Sequence, residues 1–215
     1  MRDVADLRKV HTVSRKTERL VNLTIALLAT KRYLTKSEIF RTVDGYEGTP
    51  ESKERMFERD KDDLRNLGID IEVGSENGFP DPYEANEPIT AICLKFTNSQ
   101  PIVFGCGEYQ VKGDEKYFQC KDEYDLCKRF LNYWTLDYPD VITGWNVRFF
   151  DMPYLINRTK KVLGEHAIKR YSPWDIVDES TAYHNGRQVT FFRLLGIAQL
   201  DYLQLYAKFT IKNQE

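Results

Sequence analysis

The chain has 215 residues, is 41% hydrophobic and 30% charged, and carries a net charge of −2, enough apolar material for one good core or two small ones at ~100 to 150 residues per domain. Mean hydropathy is −0.54, no apolar run approaches the ~18 residues that cross a bilayer, and residues 1–8 lack the apolar stretch of a signal peptide; a membrane protein is excluded and a cytoplasmic one is expected. Four cysteines, Cys93, Cys106, Cys120 and Cys127, form no Cys-x-x-Cys pair and have no histidine beside them, so zinc and disulfide frameworks are set aside in favour of reduced, mostly buried thiols.

Charge is unevenly distributed. Residues 1–69 hold 15 Lys+Arg against 12 Asp+Glu, and the remainder 16 against 21. The basic excess of the first part suits a phosphate backbone, and the acidic excess of the second suits a cation.

In chain order, residues 16–30 place Leu20, Leu23, Ile25, Ala26, Leu27 and Leu28 at helical spacing among charged neighbours and predict a first helix. Thr35-Lys-Ser-Glu38 has the form of a capping box, so a short second helix begins there with Ile39, Phe40 and Val43 inward. Asp44-Gly-Tyr-Glu-Gly48 makes a turn, and Thr49-Pro50 supplies an N-cap followed by proline at the first helical position. A third helix is expected from Pro50 through Met56, Phe57, Leu64 and Leu67, closed by Gly68 in the left-handed conformation. Three short helices of this kind make a helix-turn-helix unit over residues 1–68.

After Gly68 the period becomes extended. Residues 69–73 alternate strictly, and residues 89–94, 102–104 and 141–143 read as further strands. Residues 121–136 predict a helix with Leu126, Phe130, Leu131 and Trp134 inside, and residues 151–163 another, with Pro153 in its first turn and Gly164 at its end. Residues 165–195 show little periodicity, with a surface turn at 179–186, and residues 199–209 read as a final helix or strand end. Strands followed by alternating helix and strand predict an α/β sheet domain over residues 69–215, and an α+β chain overall.

Phosphodiester hydrolysis by two metal ions needs carboxylates that converge on one point, and magnesium takes oxygen ligands. Residues two apart in a strand share a face, so Asp70 and Glu72 would project together from an edge strand. By itself Asp-x-Glu suits a solvated strand equally well, and a second element has to decide.

That element is Thr143-Gly-Trp-Asn-Val-Arg-Phe-Phe-Asp-Met-Pro-Tyr-Leu-Ile-Asn-Arg158, which resembles the second exonuclease motif of family B DNA polymerases. Tyr138-Pro-Asp-Val-Ile-Thr-Gly-Trp145, Lys169-Arg-Tyr-Ser-Pro-Trp174 and Leu200-Asp-Tyr-Leu-Gln-Leu-Tyr-Ala-Lys-Phe209 resemble the polymerases of T-even-like and cyanobacterial phages, and the resemblance spans residues 69–215. It implies an RNase H-like mixed-sheet 3′–5′ proofreading exonuclease domain of a bacterial or phage-infected cell. Such a domain removes nucleoside monophosphates from single-stranded or frayed 3′ DNA ends with Mg²⁺ or Mn²⁺.

The same resemblance assigns residues. Asp70, Glu72 and Asp151 take the places of catalytic metal carboxylates, and Asn146 that of a polar residue near the DNA. Phe79, in Gly78-Phe-Pro-Asp81, matches a loop aromatic that stacks on the single-stranded 3′ end, a sequence-tolerant contact; a hairpin-loop anchor is its other reading. Phe149 and Phe150 are expected in the core. The family's third motif, Tyr-x-x-x-Asp, does not follow Phe209, which implies an incomplete metal site and impaired hydrolysis, with Asp201 a poor substitute.

Residues 15–69 resemble the winged helix-turn-helix of WYL-domain bacterial transcriptional regulators, through Lys16-Thr-Glu-Arg-Leu-Val-Asn-Leu-Thr-Ile-Ala-Leu-Leu-Ala-Thr30, Tyr33-Leu-Thr-Lys-Ser-Glu-Ile39 and Glu54-Arg-Met-Phe-Glu-Arg-Asp-Lys-Asp-Asp-Leu-Arg-Asn-Leu-Gly-Ile69. In such units the third helix enters the major groove by its amino-terminal residues, which implies duplex DNA contacts by Ser52, Lys53, Arg55 and Arg59. With Glu51, Glu54 and Glu58 interleaved, an ordinary solvated face is the alternative. Leu67-Gly-Ile-Asp-Ile-Glu-Val-Gly74 can open either a wing or the exonuclease sheet, so the chain reads as a chimera joined there. A non-catalytic DNA-binding regulator is the second functional expectation.

Overall fold

The structure, a computed structural model, describes residues 15–29, 34–76, 78–97, 99–184 and 187–204. It divides between Leu64 and Arg65 into two units, each with its own hydrophobic cluster.

The first unit contains three helices, α1 (Arg15–Ala29), α2 (Lys36–Thr42) and α3 (Pro50–Asp63). The capping box at α2 forms: Glu38 N–H donates to Thr35 Oγ1 at 3.3 Å and Thr35 N–H to Glu38 Oε2 at 2.8 Å. Thr49 caps α3 by accepting from Ser52 N–H at 3.2 Å, with Pro50 leading the helix. Leu23, Ile39, Val43, Tyr46, Phe57 and Leu64 form the core, flanked by Leu20, Leu27, Phe40 and Met56. Ile25, expected inward, is exposed, because the inward stripe of α1 runs through Leu20, Leu23 and Leu27 at i, i+3 and i+7; the side chain of Leu28 lies outside the described residues. Asp60 is fully buried and triply bonded, to Arg19 Nε at 2.5 Å, Arg19 Nη2 at 2.8 Å and Tyr46 Oη–H at 2.8 Å.

The second unit is built on a six-stranded sheet, β1 (Asn66–Val73), β2 (Ile89–Phe96), β3 (Ile102–Gly105), β4 (Lys116–Gln119), β5 (Val141–Gly144) and β8 (Ala198–Asp201), in the order β4-β3-β2-β1-β5-β8. β2 runs against the other five. In β1 the buried Leu67, Ile69 and Ile71 alternate with Gly68, Asp70 and Glu72, so a one-residue slip would turn three core side chains to solvent, each worth ~1.5–3 kcal/mol of burial. That penalty locks Asp70 and Glu72 onto the outer face. The inner face packs on α4 (Glu123–Leu136), with Leu126, Phe130, Leu131 and Trp134 buried, and on α5 (Asp151–Leu163).

Three expectations need correction. α3 ends at Asp63 and Gly68 lies inside β1: Asn66, Leu67 and Gly68 pair in parallel with Val141, Ile142 and Thr143, Arg65 N–H donates to Asp140 Oδ2 at 2.9 Å, and Leu67 joins the sheet's core. The ladder thereby takes the residues a longer helix would need. β1 is also an interior strand, between β2 and β5, and not an edge. Lastly, residues 165–195 are ordered as a 3-10 helix (Glu165–Tyr171) and a separate hairpin, β6 (Val177–His184) with β7 (Arg187–Leu194); its strands mix polar and apolar residues too evenly to show a period. Of the element expected over 199–209, residues 199–201 are strand, and 205–209 lie outside the described residues.

All four cysteines are free thiols, and burial pushes that of Cys127 up to about 12. Among the described residues no helix is long and apolar enough to cross a membrane.

At the end of β5, a Cβ on Gly144 would lie 2.7 Å from the backbone oxygen of Ile69, so only glycine lets β5 turn away this close to β1. Gly144→Ala is expected to cost roughly 1–3 kcal/mol by overpacking against backbone, read as a lower urea midpoint at unchanged slope. An unchanged midpoint would contradict the close approach.

Candidate active site

Pairing between β1 and β5 covers residues 66–68 of β1 and then stops. Beyond it the amide of Ile71 points toward the side β5 has vacated, where a buried N–H needs an acceptor. Asp151, the first residue of α5, provides one: Ile71 N–H donates to Asp151 Oδ1 at 3.2 Å. This bond draws the metal-motif aspartate of the helix against the strand that carries Asp70 and Glu72.

Asp151 is 4% exposed. Burial and the Asp70 carboxylate push its carboxyl up to about 7, with Asp201 adding to the push and the Ile71 amide opposing it. A second acidic group, on a separate element, therefore bears on the Asp151 carboxyl, which favours its protonated form or a nearby cation. Glu72 shares Asp70's exposed face of β1, and among the described residues no three His, Cys, Asp or Glu side chains are grouped closely enough to hold a metal ion.

The loop between β5 and α5 is a tight turn. Asn146 adopts a left-handed conformation, φ 59°, which asparagine tolerates better than most residues. Its carbonyl accepts from Phe149 N–H at 3.1 Å and Phe150 N–H at 2.9 Å, so the residue expected near DNA is also the hinge of the turn. Phe149 and Phe150, expected in the core, are half-buried. Phe149 meets Phe191 of β7 edge-on at 6.1 Å, and the Arg148 guanidinium lies 4.2 Å from the Phe191 ring centre. Phe150 packs on Tyr154 at 5.8 Å and on Phe79 at 5.4 Å. Phe79 is 87% exposed, an aromatic face in solvent one ring away from the residue preceding Asp151.

Sequence reasoning missed the groups that hold this neighbourhood. Arg158 Nε and Nη2 bind Glu123 Oε1 and Oε2 at 2.7 and 2.6 Å, and Arg158 Nη1 donates to the carbonyls of Ala85 and Asn86 at 3.1 and 2.8 Å. Glu123 in turn accepts Ile89 N–H at 2.7 Å. This bidentate pair ties α4, α5 and the segment leading into β2. Tyr83 Oη donates to Thr190 O and accepts from Thr190 N–H, both at 2.9 Å, completing the edge of β7 as a neighbouring strand would. The one available signal was an arginine and a tyrosine amid motif residues with no partner close in sequence.

Ser52, Lys53, Arg55 and Arg59 lie on α3 of the first unit. Ser52, Arg55 and Arg59 fall at i, i+3 and i+7 on one stripe, with Lys53 off it. The interleaved Glu54 and Glu58 are engaged by Lys36, and Glu58 also by Lys61.

A mixed sheet with one reversed strand, helices on its inner face and carboxylates where β5 parts from β1 is an RNase H-like exonuclease fold. The chain matches the exonuclease domain of DNA polymerase family B over residues 22–214, and it belongs to that family. It is 33% identical over 178 residues to the DNA-directed DNA polymerase of Escherichia phage RB69, covering 70% of this chain and 20% of that one. Against the DNA-directed DNA polymerase of Enterobacteria phage T4 it is 30% identical over 181 residues, 72% of this chain and 20% of the other. Protein PafB of Mycobacterium leprae is 54% identical over 71 residues, 32% of this chain and 21% of that protein. The chain spans about a fifth of the length of the curated relatives it matches.

A carboxyl held above its unfolded value of ~3.9 stabilises the fold while protonated. For Asp151 that advantage is complete below pH ~4 and is lost as pH rises through about 7. In EDTA, wild-type stability is expected to drop by about 2 to 4 kcal/mol across that window, and Asp151→Asn to remove the drop. Parallel denaturation profiles for the two proteins would contradict the upward shift of the buried Asp151 carboxyl.

Proposed function

We propose that residues 69–215 act as a 3′–5′ exonuclease domain on single-stranded 3′ DNA ends, by metal-assisted hydrolysis of the terminal phosphodiester. What supports this reading is the family B exonuclease match together with Asp151 of α5 accepting the Ile71 amide of β1, the strand that carries Asp70 and Glu72. The donors are carboxylate oxygens, which suit Mg²⁺ or Mn²⁺. Asp70 and Asp151 would hold the ion, with water or the DNA phosphate completing its coordination, and Glu72, on Asp70's face of β1, would join them only if the bound cation draws it in. When bound, the cation would activate the attacking water and stabilise the leaving oxygen.

The rest of the site handles the strand. Phe79 offers a base a stacking face, and Asn146 presents its amide side chain from the turn that ends at Asp151. The first unit, with α1, α2 and α3, we assign as a helix-turn-helix unit, with Ser52, Arg55 and Arg59 on one stripe of α3 toward a duplex and Lys53 beside it. The support is that Lys36 and Lys61 engage the glutamates between them, which reduces the acidic character of that helix.

Incubated with a 3′-labelled single strand and Mg²⁺ or Mn²⁺, the chain is expected to release nucleoside monophosphates. EDTA should abolish release and Asp151→Ala lower it by ~100-fold or more. No metal-dependent shortening, or shortening unaffected by Asp151→Ala, contradicts the assignment. For the first unit, Arg55→Ala with Arg59→Ala is expected to weaken duplex binding and lower its salt slope by about 2; an unchanged slope would leave α3 without a role on DNA.

A further inference from the structure

The carboxylate of Asp201 stands at the end of β8, opposite Gly144 at the end of β5, and is 1% exposed. Its Oδ1 accepts Asn146 N–H at 3.0 Å and Leu203 N–H at 2.9 Å, and its Oδ2 accepts Arg148 N–H at 3.1 Å. Three backbone amides from two segments thus converge on one buried side chain. An ionised carboxylate is the side chain with the acceptor capacity to satisfy them without offering a competing donor.

Two of those amides belong to the β5–α5 turn, and they bracket Val147. Asn146, whose amide is one of them, is the residue held at φ 59°, and its carbonyl accepts from Phe149 and Phe150. Met152 N–H then donates to Val147 O at 2.9 Å, so the turn passes directly into the helix that starts with Asp151. Anchoring Asn146 and Arg148 therefore fixes both the left-handed residue and the position from which α5 departs. Asp201 is oriented by these bonds into the backbone of the β5–α5 turn.

We propose that Asp201 is a positioning residue: it acts through the Asn146 and Arg148 amides to hold the β5–α5 turn in the one conformation that sets Asp151 against β1. Its catalytic consequence rests on the exonuclease reading above; its structural consequence does not. A displacement of about 1 Å at Asp151 is enough to lower turnover ~100-fold.

The test compares the full chain with Asp201→Asn, which keeps the volume and one acceptor oxygen but brings an N–H₂ toward backbone N–H groups. Residue-resolved amide exchange is expected to accelerate at least ~10-fold at Asn146 and Arg148, with Ile92 in the sheet unchanged. On a single-stranded substrate, kcat is expected to fall ~100-fold with KM within about threefold. Should Asp201→Asn fail to fold, Asp201→Ser carries the same comparison within the original volume. Equal protection of Asn146 and Arg148 in a folded variant, or unprotected amides at both positions in the wild type, overturns the proposal. A wild-type chain with no exonuclease activity would remove the exonuclease reading, and amide exchange would still decide the role of Asp201.

Discussion

The bond from the Ile71 amide to the Asp151 carboxylate joins the sheet to the helix that completes the site. It exists because two strands part company. β5 follows β1 through Gly68 and then turns away at Gly144, which leaves a backbone donor in the interior of a sheet without its ladder partner. A buried amide in that position requires an acceptor, and the acceptor supplied is an aspartate brought in at the first residue of α5. The geometry of ordinary strand pairing thereby dictates where acidic groups gather.

The gathering has a cost. Asp151 is desolvated and feels the charge of Asp70, an arrangement unfavourable to bare charges and favourable to a nearby cation. Asp201 shows the opposite use of the same side chain: equally buried, it spends its charge on three backbone amides and so shapes the turn. Arg158 with Glu123, and Tyr83 with the backbone of Thr190, secure the segment that follows Phe79. The site is therefore a small set of acidic groups carried on a frame of backbone hydrogen bonds, which suits chemistry whose demand is position more than group identity.

Parts of this were legible before any coordinates. The alternation of residues 69–73 marked β1 and the outward face of Asp70 and Glu72, the capping box at Thr35 and the Thr49-Pro50 start located α2 and α3, and the motif from Thr143 to Arg158 identified the family. Other parts were not, for definite physical reasons. Gly68 read as a helix stop because local signals cannot see Val141–Thr143 arriving from seventy-five positions away to claim the same backbone. The β6–β7 hairpin is a two-stranded element held by pairing, by Tyr83 and by the adjacent Phe191 and Phe192 with Leu194 of β7, which are buried without a clean alternation to announce them. Asp201 was judged only as a would-be metal ligand, since nothing local shows that its oxygens meet the amides of Asn146 and Arg148, more than fifty residues earlier.

The cation site proposed at Asp70 and Asp151, where β1 and β5 diverge, can be seen in a crystal. Crystals of the chain soaked in Mn²⁺ test it directly through the anomalous signal of the metal. The account predicts a peak at about 2.0–2.3 Å from an oxygen of each of these two carboxylates, and none on Asp201. A peak that ligates Asp201 in place of Asp151, or no peak between β1 and α5 under conditions that fill other carboxylate sites, would contradict it.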